Sequence, residues 1–151
     1  MEKDKVILIA EDNTGHFQLI KRNLWLICAG IDIIQFKNGQ QVLDFLFGTD
    51  MKTHLEEAKQ YVLLLDIRMP QVDGLEVLSK IKEDQKLRKI PVIMFTTTIE
   101  TNMIEECYNL GCSYYMVKPV NYQHFMEAVQ SLGEFLLLEN MRLPSLNGNT
   151  P

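Results

Sequence analysis

Five short apolar runs, mostly β-branched, alternate with longer segments of helical period along this 151-residue chain. The runs are Val6–Ala10, Ile31–Phe36, Tyr61–Leu65, Val92–Phe95 and Tyr114–Val117. After each of them apolar residues recur at helical spacing: Phe17, Ile20, Leu24 and Ile27; Val42, Leu43 and Leu46; Leu75, Leu78 and Ile81; Ile99, Met103, Ile104, Cys107 and Leu110; Tyr122, Phe125, Met126, Val129, Leu132 and Leu136. Strands that alternate with helices pair in parallel and are covered on both faces. Right-handed crossovers, with a chain reversal near the first strand, predict a doubly wound α/β sheet of five strands. Ligands of such sheets bind outside the carboxyl ends of the strands, at the switch point.

Local signals agree with that pattern. Asn13 or Thr14 can cap the first helix, Asn38-Gly39 turns into the second, and Asn121 can cap the last. Gly111 is placed to close the fourth helix in the left-handed conformation. Asp73-Gly74 reads as a structural helix start. We expect one domain over residues 4–138. The polar stretch 48–60 is expected to be a surface insertion with a helical turn near Leu55 to Lys59. Residues 139–151 are rich in Pro, Asn, Gly and Ser, and read as a loosely ordered tail with no output module.

Composition narrows the function classes. A formal charge of −5 argues against direct nucleic-acid binding, which asks for a basic face. The small cluster Lys86, Arg88 and Lys89 reads as a solvated loop. No stretch approaches the roughly 18 consecutive apolar residues of a membrane span. The charged start Met1–Lys5 leads into a run too short for a signal-peptide core, so a cytoplasmic location is expected. Cys28, Cys107 and Cys112 fall in apolar patterns and read as inert core thiols. His16, His54 and His124 show no zinc spacing.

The chemistry stands at the strand ends. The first strand ends in Glu11-Asp12, the third in Asp66, the fourth in Thr96 and the fifth in Lys118. Singly, each has a structural explanation: a cap-region acid, a β-branched filler, a solvated lysine before a proline. Together they bring carboxylates, a hydroxyl and an ammonium to one edge of the sheet. Clustered carboxylates attract a hard divalent cation, Mg²⁺ being the natural candidate. A hydroxyl and an ammonium beside them suit the oxygens of a phosphoryl group. Asp66 is the best nucleophile, because Val62–Leu65 is the most apolar strand and should be central. Glu11 and Asp12 are better placed as metal holders.

In this order and on these elements, the chain resembles the receiver domain of two-component response regulators from about Lys5 to Leu138. The resemblance is carried by Glu11-Asp12-Asn13, by Asp66-Ile67-Arg68-Met69-Pro70-Gln71-Val72-Asp73-Gly74, by Pro91-Val92-Ile93-Met94-Phe95-Thr96 and by Lys118-Pro119. It implies a flavodoxin-like sheet of strand order 2-1-3-4-5. It implies that Asp66 accepts a phosphoryl group from a phosphohistidine of a sensor histidine kinase. Asp12 and Asp66 would hold Mg²⁺ directly, with Glu11 nearby or through water and the Arg68 backbone carbonyl as a further ligand. Thr96 would be the hydroxyl that moves to the phosphoryl oxygen and Lys118 its cationic partner. Tyr115 matches the aromatic switch position, although core or interface packing explains an aromatic there equally well. A cis Lys118-Pro119 bond is also implied.

The insertion, the last helix with its Phe135-Leu136-Leu137-Leu138 run and the following Leu143-Pro144 look like small stand-alone regulators paired with phytochrome-type kinases. That likeness implies a homodimer through the fourth helix, fifth strand and fifth helix. This chain departs from the family pattern at Arg68, a bulky cation two residues after the acceptor, and at Thr97, where a smaller residue is commoner. The competing readings are a relay intermediate that passes the phosphoryl group onward, a haloacid-dehalogenase-type phosphatase, a flavodoxin-like FMN carrier and a pseudo-receiver that only docks. The phosphatase needs a second Asp where Arg68 stands. The FMN carrier needs a phosphate-cradling loop where Glu11-Asp12 stands. Intact Asp66, Thr96 and Lys118 argue against mere docking.

Overall fold

Alternation of strand and helix produces the expected sheet. The computed structural model describes residues 4–48, 55–56 and 58–138. Within them lie β1 (Asp4–Ala10), α1 (Thr14–Ile27), β2 (Asp32–Phe36), α2 (Gly39–Leu46), β3 (Lys59–Leu65), α3 (Gly74–Glu83), β4 (Val92–Thr96), α4 (Thr101–Leu110), β5 (Tyr114–Val117) and α5 (Tyr122–Leu138). A 3-10 turn, Leu87–Lys89, precedes β4. All strand pairs are parallel and the order is β2-β1-β3-β4-β5. β1 is the switch point: it pairs Ala10 with Phe36 of β2 on one side and with Leu65 of β3 on the other.

Side chains of a strand alternate between faces, and each face builds its own core. Val6, Leu8, Leu63, Leu65 and Met94 pack with Val42, Leu46, Val77, Leu78, Ile81 and Cys107, so α2, α3 and α4 cover one side. Ile7, Ile9, Val62, Leu64, Ile93 and Phe95 pack with Phe17, Ile20, Leu24, Phe125, Val129 and Leu132, so α1 and α5 cover the other. Each fully buried aliphatic side chain contributes about 1.5–3 kcal/mol through burial. The three strands nearest the site are therefore fixed from both faces.

Helix ends follow the sequence signals. Asn13, Asn38, Asp73 and Asn121 each accept a backbone N–H three residues on, from His16, Gln41, Glu76 and His124. Gly111 closes α4 at φ 112°, donating to Tyr108 O at 3.0 Å while Cys112 N donates to Cys107 O at 3.0 Å. This paired Schellman arrangement satisfies the last carbonyls of the helix. The cysteines are buried, as expected. Burial pushes the Cys107 thiol up to about 12, which keeps it protonated and unreactive. On the outer side of the edge strand β5, the Tyr115 N–H donates to the Tyr108 hydroxyl of α4 at 3.0 Å.

Several expectations shift. β2 starts at Asp32 and β3 at Lys59. Ile99 lies before α4 and is 71% exposed, because Glu100 keeps an extended backbone and the helix begins only at Thr101. Tyr122 opens α5 but points to solvent; the buried face is set by Phe125, Val129, Leu132 and Leu136. The described residues contain no cis peptide bond, so Lys118-Pro119 is trans, against the implied geometry. Of the stretch 48–60, Leu55 packs against the core, and Lys59 N donates to Glu56 O at 3.0 Å, a single turn. Residues 49–54, Glu57 and 139–151 lie outside the described residues, and with them most of the insertion and the tail. Among the described residues no helix is long and apolar enough to cross a membrane.

Candidate acidic site at the carboxyl edge of the sheet

The edge gathers its groups because neighbouring strands end side by side, β1 with β3 and β4 with β5. Asp66 N donates to Ala10 O at 3.1 Å, which holds the end of β3 beside the end of β1. Lys118 N donates to Thr96 O at 2.7 Å and does the same for β4 and β5. Carboxylate oxygens of Glu11, Asp12 and Asp66 all come within 4.8 Å of one another. Glu11 is 2% exposed and Asp66 7% exposed, whereas Asp12 is open to solvent.

Buried carboxylates need partners, and Lys118 supplies them. Its Nζ lies 2.7 Å from Asp66 Oδ2 and in a short contact with Glu11 Oε1, itself buried at 4% exposure. These ion pairs aim the lysine, with the trans proline after it. Glu11 Oε2 also accepts the backbone N–H of Asn13 at 3.1 Å. Burial pushes the Glu11 carboxyl above its ordinary range, and Lys118 opposes that rise. The Thr96 side chain is 0% exposed and its Oγ1 has no hydrogen-bond partner, an orphan hydroxyl at the end of β4. Thr98 Oγ1 is orphaned in the same way, while the Thr98 backbone carbonyl accepts the Tyr115 hydroxyl at 2.7 Å.

The loop after Asp66 folds tightly around it. Gly74 N donates to Ile67 O at 2.8 Å, and a Cβ on Gly74 would stand 2.2 Å from Asp66 O. Only glycine allows α3 to start so close to the Asp66 backbone. Gln71 takes a left-handed φ of 68° to complete the turn. Arg68 is exposed there. Asp73 caps α3, the structural role expected of it.

His16 joins the cluster without a signal in its spacing to other histidines. Its Nδ1 lies 3.4 Å from Lys118 Nζ and 3.9 Å from Glu11 Oε1. Burial, and after it the nearby Lys118 charge, push its imidazole below the ordinary range. A clue lay in its place three residues after the Asn13 cap, in the first turn of the helix that leaves the β1 edge.

The donor set is all hard oxygen, which suits a divalent cation such as Mg²⁺ or Mn²⁺ better than a thiolate-seeking metal. A buried carboxylate, a cluster of acids that could hold a cation, an ammonium and an orphan hydroxyl make an arrangement able to accept a phosphoryl group.

Comparison with known proteins points the same way. Residues 7–130 match the response regulator receiver domain model. Rcp1 of Synechocystis is 29% identical over 141 residues, covering 93% of this chain and 94% of Rcp1. The Mn²⁺-bound form of Rcp1 superposes with a TM-score of 0.83 at 30% identity, over 93% of this chain and 99% of that one. The phosphorylated cyanobacterial phytochrome response regulator RcpA gives 0.78 at 28% identity, over 91% and 95%. A receiver domain from Rhodospirillum rubrum gives 0.82 at 35% identity, over 88% and 94%. Fold, match and kinship together establish that this chain belongs to the response regulator receiver domain family.

Proposed function

We propose that the protein is a phospho-acceptor of two-component signalling, in which Asp66 takes a phosphoryl group from a phosphohistidine of a phytochrome-type sensor kinase. The observation that carries this reading is the Lys118 ammonium 2.7 Å from Asp66 Oδ2 beside the Glu11–Asp12–Asp66 cluster. The likeness to Rcp1 and RcpA supports the kinase type.

Glu11, Asp12, Asp66 and the Arg68 backbone carbonyl would hold Mg²⁺. The ion supplies charge neutralisation for the incoming phosphoryl oxygens. An Asp66 oxygen forms the new O–P bond as the P–N bond of the phosphohistidine breaks. Lys118 turns one of its N–H donors toward a phosphoryl oxygen. Phosphorylation adds about −1.5 to −2 charges and three acceptor oxygens, and the orphan Thr96 hydroxyl is a ready donor for one of them. Motion of Thr96 and its neighbours would bear on Tyr115 through the Thr98 carbonyl, so the surface of α4, β5 and α5 is the proposed output face. Tyr114, Val117 and Phe135 are apolar and exposed on it, and we assign homodimer formation to the same face.

Incubation with Mg²⁺ and acetyl phosphate, followed by intact mass, tests the reading. One phosphoryl adduct on the wild type and none on Asp66→Asn is the expected result. An unlabelled wild type, or equal labelling of the variant, overturns it.

A further inference from the structure

We propose that His16 is a positioning residue for Lys118: its imidazole accepts the third N–H of the ammonium and sets where that charge stands when Asp66 takes a phosphoryl group. The role rests on Asp66 being the phosphoryl acceptor.

A lysine ammonium has three donors and no acceptor. Around Lys118 Nζ stand two carboxylate oxygens and a ring nitrogen: Asp66 Oδ2 at 2.7 Å, Glu11 Oε1 in short contact, and His16 Nδ1 at 3.4 Å. Since the ammonium can only donate, a hydrogen bond between the two requires Nδ1 to present its lone pair and the ring proton to sit on Nε2. In that tautomer His16 is a neutral acceptor beside two charged ones. An uncharged partner holds Nζ less tightly than either carboxylate does, so its N–H is the one most easily turned toward an incoming anion.

The imidazole is itself held from several elements. Its backbone N–H donates to the Asn13 cap at 2.9 Å, which fixes the first turn of α1 over the site. Its ring lies 5.3 Å from the Phe125 ring of α5, and Phe125 lies 5.4 Å from the Phe95 ring of β4. Phe95 closes the circuit, with Lys118 Nζ 5.9 Å from its centroid. Rings from α1 and β4 therefore flank the ammonium, with the Phe125 ring of α5 packed against both, and His16 is the only one of the three with a lone pair to offer.

Three proteins test this: the wild type, His16→Phe, which keeps a ring against Phe125 but has no acceptor, and His16→Asn, whose side-chain carbonyl can stand near the position of Nδ1. Initial rates of Asp66 labelling by acetyl phosphate with Mg²⁺ should fall about three- to tenfold in His16→Phe and return to within about twofold of wild type in His16→Asn. The ¹⁵N spectrum of the unphosphorylated wild type should show His16 as the Nε2–H tautomer. Equal rates in wild type and His16→Phe, or an Nδ1–H tautomer, overturn the role while leaving the acceptor assignment standing. Should His16→Phe be misfolded by circular dichroism, the tautomer and the His16→Asn rate decide, and a drop in His16→Asn beyond tenfold counts against the proposal. A wild type that takes no label at Asp66 overturns the acceptor assignment itself, and this role with it.

Discussion

The Tyr115 hydroxyl donates to the Thr98 backbone carbonyl at 2.7 Å, tying the edge strand β5 to the loop that follows β4. The ring beneath that bond is 8% exposed, so the phenol is packed inward against the core rather than swung out to solvent. The same bond connects the proposed output side of the sheet to the segment that carries Thr96.

Tyr115→Phe keeps the packing and removes the bond. Unfolding in urea should show a loss of about 1 kcal/mol. Burial raises the Tyr115 phenol to about 12. In the unfolded chain it would ionise near the ordinary value of about 10. The folded state therefore keeps a proton that the unfolded state releases in this window, and stability must fall as pH rises from about 10 to 12. That fall should be shallower in Tyr115→Phe, and the wild-type tyrosinate absorbance should contain a late component the variant lacks.

Thr96→Val exchanges the orphan hydroxyl for a methyl of the same shape. Removing an unpaired buried polar group is neutral or favourable, so the variant should unfold at equal or higher urea, by up to about 1 kcal/mol. The gain should come with a loss of response: phosphodonor should no longer shift the NMR signals of β5, although Asp66 still takes label. A clearly less stable variant would mean that the hydroxyl has a partner in the resting protein.

Asp12→Asn removes one charge from three crowded carboxylates. Without divalent cations it should be slightly more stable than wild type, by about a few tenths of a kcal/mol, because Asp12 is exposed and its repulsion is screened. Added Mg²⁺ should raise the melting temperature of the wild type by binding only the folded state. Thermal scans across a Mg²⁺ titration should show that rise largely abolished in Asp12→Asn. An undiminished rise would remove Asp12 from the ligand set.

Gly74→Ala drives a methyl to 2.2 Å from Asp66 O, a backbone atom that cannot yield without moving Asp66. The expected cost is about 2–4 kcal/mol, with slower labelling of whatever folds. Gln71→Gly is the opposite experiment on the same loop. It relieves a left-handed side-chain conformation at φ 68° and should gain about 0.5–1 kcal/mol after the added chain entropy of glycine. Chemical denaturation of both variants separates a loop strained at Gln71 from one shaped by Gly74.

The sheet, and the gathering of Glu11, Asp12, Asp66, Thr96 and Lys118 at one edge of it, were legible because they depend on periodicity. Val62–Leu65 could only be a strand buried on both faces, and the residues that end such strands share an edge whatever the loops do. Asn13, Asn121 and Gly111 read correctly as caps because capping is decided within a few residues. What the pattern could not supply was set by the backbone path at element ends and by long-range packing. Ile99 carries the apolar period of α4 yet lies before its first turn. Tyr122 shares the α5 pattern but points to solvent at 62% exposure. His16 had no partner in sequence, since Lys118 lies 102 residues away. The cis geometry implied for Lys118-Pro119 gave way to a trans bond, with the lysine aimed by its ion pairs instead.

The Tyr108 hydroxyl that accepts the Tyr115 N–H from outside the sheet has a consequence for assembly. β5 is the last strand on its side, and a bare outer edge is a template onto which any extended chain can be stitched by backbone bonds. At Tyr115 that template is already taken by a side chain of the same molecule. A partner docking there would meet, at that position, a side chain that can tell one partner from another rather than a backbone that cannot.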